Sequence, residues 1–181
     1  MKVLDLFCGM GGWARAFVDN GHDVTGIDIV DYSTVYPGEF IQADLLIFTP
    51  EGDYDLIVAS PPCTDFSKAS MPKTWIAPLR YPPDIENGLR LFRRAREIID
   101  LLKPRYWVIE NVRGAQKFVG KADFYIGSRY FWSNIDFKIF WMQGSRDVHG
   151  KWKMPPDKDR PAMRSMIPYS IAWALEEAMN A

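Results

Sequence analysis

Four short apolar runs constrain the fold of this chain more than any other feature: KVLDLF (residues 2–7), DVTGID (23–28), YDLIVAS (54–60) and YWVIE (106–110). They are rich in β-branched and aromatic residues and lack clean apolar–polar alternation, as expected of strands covered on both faces. The first runs into a glycine cluster, Gly9, Gly11 and Gly12, and the third is halted by Pro61-Pro62. Residues 13–20 predict a short helix with Gly21 as its stop. Leu89, Phe92, Ala95, Ile99 and Leu102 recur at helical spacing, with Arg90, Arg93, Arg94 and Glu97 between them, until Lys103-Pro104 ends the pattern. Strand, helix and strand joined by short connections predict an α/β protein with a mainly parallel central sheet and helices on both faces. Residues 130–133 and 137–141 are expected to pair antiparallel at its edge. Residues 144–161 are turn-rich and charged, and 170–179 predict a terminal helix.

At 181 residues and 48% hydrophobic, the chain fits one domain over 1–181 with a substantial core, which excludes a disordered tail. No apolar run nears the ~20 residues that span a bilayer, and the N-terminus reads as a strand rather than a signal peptide. The expectation is a cytoplasmic protein that does not contact a membrane. Two cysteines, Cys8 and Cys63, and two histidines, His22 and His149, exclude a disulfide framework and argue against a metal site. A net charge of -1 excludes a uniformly basic surface, yet leaves basic segments at 68–80 and 90–96.

Three motifs carry the chemistry. DLFCGMGG (5–12) lies at a strand-to-helix junction, where glycines admit a ligand close to the backbone and the helix start offers unpaired amides. Asp28 ends the next strand, at the spacing where a carboxylate takes ribose hydroxyls. The order G-x-G-G, with no phosphate-binding Lys-Ser/Thr after it, disfavours NAD and ATP and suits S-adenosylmethionine; the same glycines would also serve a tight turn without a ligand. SPPCTDFS (60–67) places Cys63 just after a buried strand, at the sheet edge where α/β proteins bind ligands. Stiffened by two prolines, it suits a nucleophile that must be aimed, although a free cysteine is more often buried packing. ENV (110–112) again follows a strand, and alone would be uninformative.

In this order the three resemble the cofactor, nucleophile and glutamate motifs of the cytosine-5 DNA methyltransferases, over about residues 1–120. The likeness continues weakly in SRYFW (128–132) and SMIP (165–168). The resemblance implies a Rossmann-like, S-adenosylmethionine-dependent methyltransferase fold. It implies methyl transfer to carbon 5 of cytosine through a covalent Cys63 adduct on a flipped-out base, with Glu110 at the ring nitrogen N3. Arg129 would hold the base, although the family's Gln-x-Arg-x-Arg is reduced here to Gly-Ser-Arg, and Arg146 competes for that role. Phe7, Gly9, Gly11, Asp28, Ile29, Asp44, Leu45, Pro62, Leu91, Ser165 and Ile167 match positions lining the cofactor; Asp44 would equally suit a turn at a strand end. Ser67, Lys68, Lys73, Arg80 and Arg146 are the expected nucleic-acid contacts; Lys68, Lys73 and Arg80 lie on a loop over 68–81 that also carries Trp75.

Double-stranded DNA is the implied partner, with RNA as the alternative substrate, since base-edge chemistry does not reveal the sugar. Family members insert a sizeable target-recognition domain, whereas residues 142–164 offer only a minimal DNA-contacting insertion. Recognition by a second copy or a separate subunit, or a role as a cofactor-binding regulatory subunit, are the remaining alternatives. The arginines of 90–96 form a helix that could track phosphates or be a solvated face.

Overall fold

The structure is a computed structural model, and it describes residues 1–69, 71, 73–76, 82–144 and 166–181. Seven strands form one sheet: β1 (Lys2–Leu6), β2 (Asp23–Asp28), β3 (Glu39–Gln42), β4 (Leu56–Ala59), β5 (Tyr106–Val112), β6 (Phe124–Ile126) and β7 (Arg129–Ser133). Their spatial order is β3-β2-β1-β4-β5-β7-β6. The first five run parallel, and β7 pairs antiparallel with both β5 and β6. The direction of strand succession reverses between β1 and β4, and in such sheets ligands bind outside the carboxyl ends at that point.

The apolar runs bury on two sides as their composition requires. Val3, Val24, Val58 and Val108 join one core layer with Phe17 of α1 (Ala14–Asp19) and Leu175 of the C-terminal helix, Tyr169–Asn180. Leu4, Ile27, Ile57 and Ile109 join the other, under Phe92, Ala95 and Ile98 of the long helix Ile85–Leu102. Helix α1 closes with Gly21 at φ 77. There the amides of Gly21 and His22 cap the carbonyls of Val18 and Phe17, the pattern of a Schellman stop. The long helix starts at Asp84, whose side chain accepts from the Asn87 amide at 3.1 Å, and ends at Lys103 in the left-handed region.

Three details differ from the sequence expectation. Residues 137–141 are not a strand: Phe137 is buried, and Lys138–Gly144 is a helix. The antiparallel partner of Tyr130 is instead Tyr125, because Gly127 at φ 60 permits a tight two-residue turn between β6 and β7. Phe137 fills the aromatic cluster with Phe124, Phe131 and Trp13. Strand β3 was not anticipated; it is a four-residue edge strand with mostly exposed side chains and so carries no buried apolar run. Strand β5 continues to Val112, so Glu110 and Asn111 sit inside the ladder, opposite Phe131 and Tyr130. Residues 145–164 of the anticipated insertion lie outside the described residues.

Candidate active site

A cavity of about 500 Å³ opens at the carboxyl ends of β1, β2, β4 and β5. Its first wall is the glycine loop. Phe7, Gly9 and Gly11 all take positive φ, at 56, 50 and 81°. For Phe7 this left-handed conformation costs about 1–2 kcal/mol relative to an ordinary strand end. The Gly9 amide donates to Asp28 Oδ2 at 2.9 Å and the Val30 amide to Asp28 Oδ1 at 3.0 Å. The carboxylate that ends β2 is thereby fixed facing the loop. A carboxylate has about four acceptor positions, so these two bonds leave it able to accept from a ligand.

Of the anticipated cofactor residues, Phe7, Gly9, Asp28, Ile29, Asp44, Leu45, Pro62, Leu91 and Ile167 line this cavity. Gly11 does not: a Cβ there would lie 2.4 Å from Pro37 Cδ, so its smallness serves packing behind the loop. Asp44 lines the cavity, and its Oδ1 accepts from the Leu46 amide at 2.9 Å to close a turn. Ser165 lies outside the described residues. Gly12 lets the segment that begins at Met166 pack against the glycine loop, since a Cβ on it would stand 2.6 Å from the Ile167 backbone nitrogen.

The second wall is the loop 60–63 and the short helix α2 (Thr64–Ala69). Buried Asn111 donates from Nδ2 to the Pro61 carbonyl at 3.0 Å, which ties this loop to β5. Cys63 is half-buried at the cavity wall. Burial first, and the nearby Glu110 carboxylate second, raise its thiol pKa above the ordinary value; hydrogen bonding from Ser67 and the charge of Arg129 oppose this. Cys8 is buried too, and burial with Asp5 and Asp28 keeps its thiol protonated.

Glu110 is the third element. Only 7% of the residue is exposed, and its Oε1 lies 3.2 Å from Arg129 Nη1. Burial raises its pKa, against the lowering influence of Arg129 and of a hydrogen bond from Ser60. Arg129 also donates to the Met166 carbonyl. It therefore joins the glutamate to the cavity-lining segment at Met166 and Ile167. Cys63, Glu110 and Arg129 are brought together although the outer two stand 66 positions apart in the chain.

The expected nucleic-acid contacts are less uniform. The Ser67 amide donates to the Cys63 carbonyl at 2.9 Å. Lys68 is half-buried near the end of α2. Lys73 begins a one-turn helix, Lys73–Ile76, whose Trp75 is 66% exposed. Arg80 and Arg146 lie outside the described residues. Two arginines of the long helix serve the fold instead of an open basic face. Arg94 donates to the carbonyls of Leu45 at 2.7 Å and Phe48 at 3.2 Å, and Arg96 pairs with Asp100 and stacks on Trp107.

Several residues of the site carried no sequence assignment: Trp13, Ser60 and Asn87 line the cavity, and Asn111 supports it. Asn111 stands beside Glu110 in its motif, which was a usable signal. Met166 acts through a backbone carbonyl, for which no side-chain pattern exists.

Residues 1–126 match the family described as C-5 cytosine-specific DNA methylase. A relative from Frog virus 3 (isolate Goorha), named "Probable DNA (cytosine-5)-methyltransferase", is 31% identical over 116 residues, covering 61% of this chain and 53% of its own. The human tRNA (cytosine(38)-C(5))-methyltransferase is 26% identical over 129 residues, covering 63% of this chain and 31% of its own. This chain thus spans about half the length of the viral relative and about a third of the human one. Among solved structures, a prophage-encoded E. coli protein described as a DNA modification methyltransferase aligns with a TM-score of 0.50 at 22% identity, covering 66% of this chain and 35% of its own; it supports the fold. Among the described residues no helix is long and apolar enough to cross a membrane, and no cluster of side chains could hold a metal ion.

Proposed function

This chain belongs to the C-5 cytosine-specific DNA methylase family, and from that premise we propose that it transfers a methyl group from S-adenosylmethionine to carbon 5 of cytosine in DNA. The observation that carries the reading is the meeting of Cys63 and Glu110 in the same cavity as the glycine loop and Asp28. The lining fits the cofactor. Asp28 and Asp44 are carboxylates suited to ribose hydroxyls and an adenine amino group, while Phe7, Ile29, Leu45 and Leu91 supply apolar contact. No lysine or arginine lines the cavity among the described residues, as befits a cationic nucleoside without phosphates. When bound, S-adenosylmethionine supplies an electrophilic methyl group.

The protein's own part follows from the environments of two side chains. Glu110, held toward its protonated form by burial, donates to ring nitrogen N3 and drains electron density from carbon 6. Cys63, after losing its proton, adds as thiolate to carbon 6, and carbon 5 becomes nucleophilic. Once carbon 5 is methylated, its proton leaves to solvent, the carbon–sulfur bond breaks, and the Cys63 thiolate departs. Glu110 recovers its proton from N3. Arg129 holds the Glu110 carboxyl in place through these changes of charge. A cytosine in a duplex must leave the stack to reach this site, at a cost of a few kcal/mol.

DNA is preferred on the family description and the viral relative's name. The human relative's name makes tRNA the substrate to test beside it. The test is transfer of labelled methyl to unmethylated duplex DNA and to tRNA, with Cys63→Ala as control. Incorporation into DNA that Cys63→Ala abolishes is expected. Label in tRNA alone would move the substrate to RNA; label in neither, with cofactor still bound, would remove the activity from this chain.

A further inference from the structure

Trp13 is 2% exposed, and its ring meets Phe131 and Phe137 edge-on, each at 6.3 Å. Packing of this kind locks an indole in one orientation. Phe131 is also the residue directly opposite Glu110 in the β5–β7 ladder, so the indole rests on the strand that backs the glutamate. Its Nε1–H donates to Ser60 Oγ at 3.0 Å. Ser60 follows Ala59, whose ladder partner is Ile109, and this register sets Ser60 beside Glu110. Both residues line the cavity, and the Ser60 hydroxyl favours the ionised form of Glu110.

The chemistry of the donors fixes the polarity of this chain. An indole nitrogen only donates, so the Ser60 oxygen must accept from it, and the hydroxyl hydrogen remains to be given to the carboxylate. We propose that Trp13 and Ser60 are positioning residues for Glu110, with the indole orienting the Ser60 hydroxyl so that its hydrogen points at the glutamate. This rests on the reading of Glu110 as the group that acts on the cytosine ring.

Burial holds the Glu110 carboxyl toward its protonated form. Arg129 and Ser60 both oppose this by favouring the ionised form. Arg129 Nη1 also holds the carboxyl through Oε1 at 3.2 Å. Without Trp13 the hydroxyl is free to rotate away, and this stabilisation weakens.

The test is carbon-13 NMR titration of Glu110 in the full chain labelled at glutamate carboxyls, the resonance being assigned with Glu110→Gln. Ser60→Ala, Ser60→Thr and Trp13→Phe are compared with the parent. The expected result is a Glu110 midpoint at higher pH in Ser60→Ala, a smaller rise in Trp13→Phe, and a parental midpoint in Ser60→Thr. Methyl transfer by Ser60→Ala should lose kcat by about tenfold, with the KM for cofactor unchanged and the alkaline limb of the kcat profile moved up in pH. A parental Glu110 midpoint in both Ser60→Ala and Trp13→Phe would overturn the proposal. So would Ser60→Thr behaving like Ser60→Ala. If Ser60→Ala fails to fold, Trp13→Phe, which keeps a ring in the aromatic cluster, decides the outcome by the same titration. Should the parent methylate neither DNA nor RNA, the proposed function falls while the midpoints still judge the hydrogen-bond chain.

Discussion

Arg129 Nη1 lies 3.2 Å from Glu110 Oε1, and both side chains are largely withdrawn from water. The pair is set by strand register: β7 returns beside β5 with Arg129 opposite Val112, two residues beyond Glu110. The guanidinium thus reaches the glutamate from one side while Cys63 feels the charge of both.

That coupling makes Cys63 reactivity a report on its neighbours. Burial and Glu110 hold the thiol above its usual pKa, so the parent should be alkylated by iodoacetamide more slowly at pH 7 than a free cysteine. Glu110→Gln removes the opposing charge and should speed alkylation severalfold. Arg129→Ala should slow it. Mass spectrometry of the Cys63 peptide over time measures all three, and equal rates would contradict the assigned coupling.

Gly12→Ala should loosen the segment at Met166 and Ile167. The added carbon would stand 2.6 Å from the Ile167 nitrogen and 3.0 Å from its carbonyl oxygen, both backbone atoms that cannot rotate aside. Overpacking of this kind costs about 1–3 kcal/mol. Thermal unfolding with and without S-adenosylmethionine should show a lower Tm and a smaller rise on adding cofactor.

Asn111→Ala should release the nucleophile loop. It leaves the buried Pro61 carbonyl without its donor, a loss of about 1–3 kcal/mol read by urea unfolding. Methyl transfer should fall further than stability, because Cys63 lies two residues beyond Pro61. Transfer retained at the parental rate would show that the tie does not position the cysteine.

Asp5 gives a pH-dependent difference. It is fully buried, accepts from the Tyr36 hydroxyl at 3.2 Å, and has no partner for Oδ1. Burial raises its pKa well above the ordinary 3.8, so the folded state binds its proton more tightly than the unfolded chain does. Its contribution to stability is complete below pH 3.8 and declines as pH rises through the folded-state value. Asp5→Asn, which cannot ionise, should therefore gain on the parent as the pH of a urea unfolding series is raised from about 4 to 8. A constant difference between the two would show that Asp5 titrates alike in both states.

Much of this was legible in the sequence because the same residues do two jobs. The runs at β1, β2, β4 and β5 are unbroken apolar stretches since they are buried on both faces, and burial on both faces is what a parallel sheet requires. The glycine loop could be read because its backbone angles exclude most other residues. Strand β3 escaped because an exposed edge strand needs no such pattern. The segment 137–141 misled because Phe137 and Phe140 are apolar for an aromatic cluster and not for a ladder. Trp13 and Ser60 gave no functional signal, since their pairing arises from contact across 47 residues of chain.

The Ser60 amide donates to the Leu6 carbonyl at 3.1 Å, one rung beyond the Leu6–Ala59 pair that joins β1 to β4. The loop expected to cradle the cofactor and the loop that carries Cys63 therefore leave the sheet from adjoining rungs, with no hinge between them. The spacing of neighbouring strands, about 4.8 Å, becomes the gauge of the site. With Leu6 and Ser60 joined directly, the bases of the two loops are held one strand spacing apart.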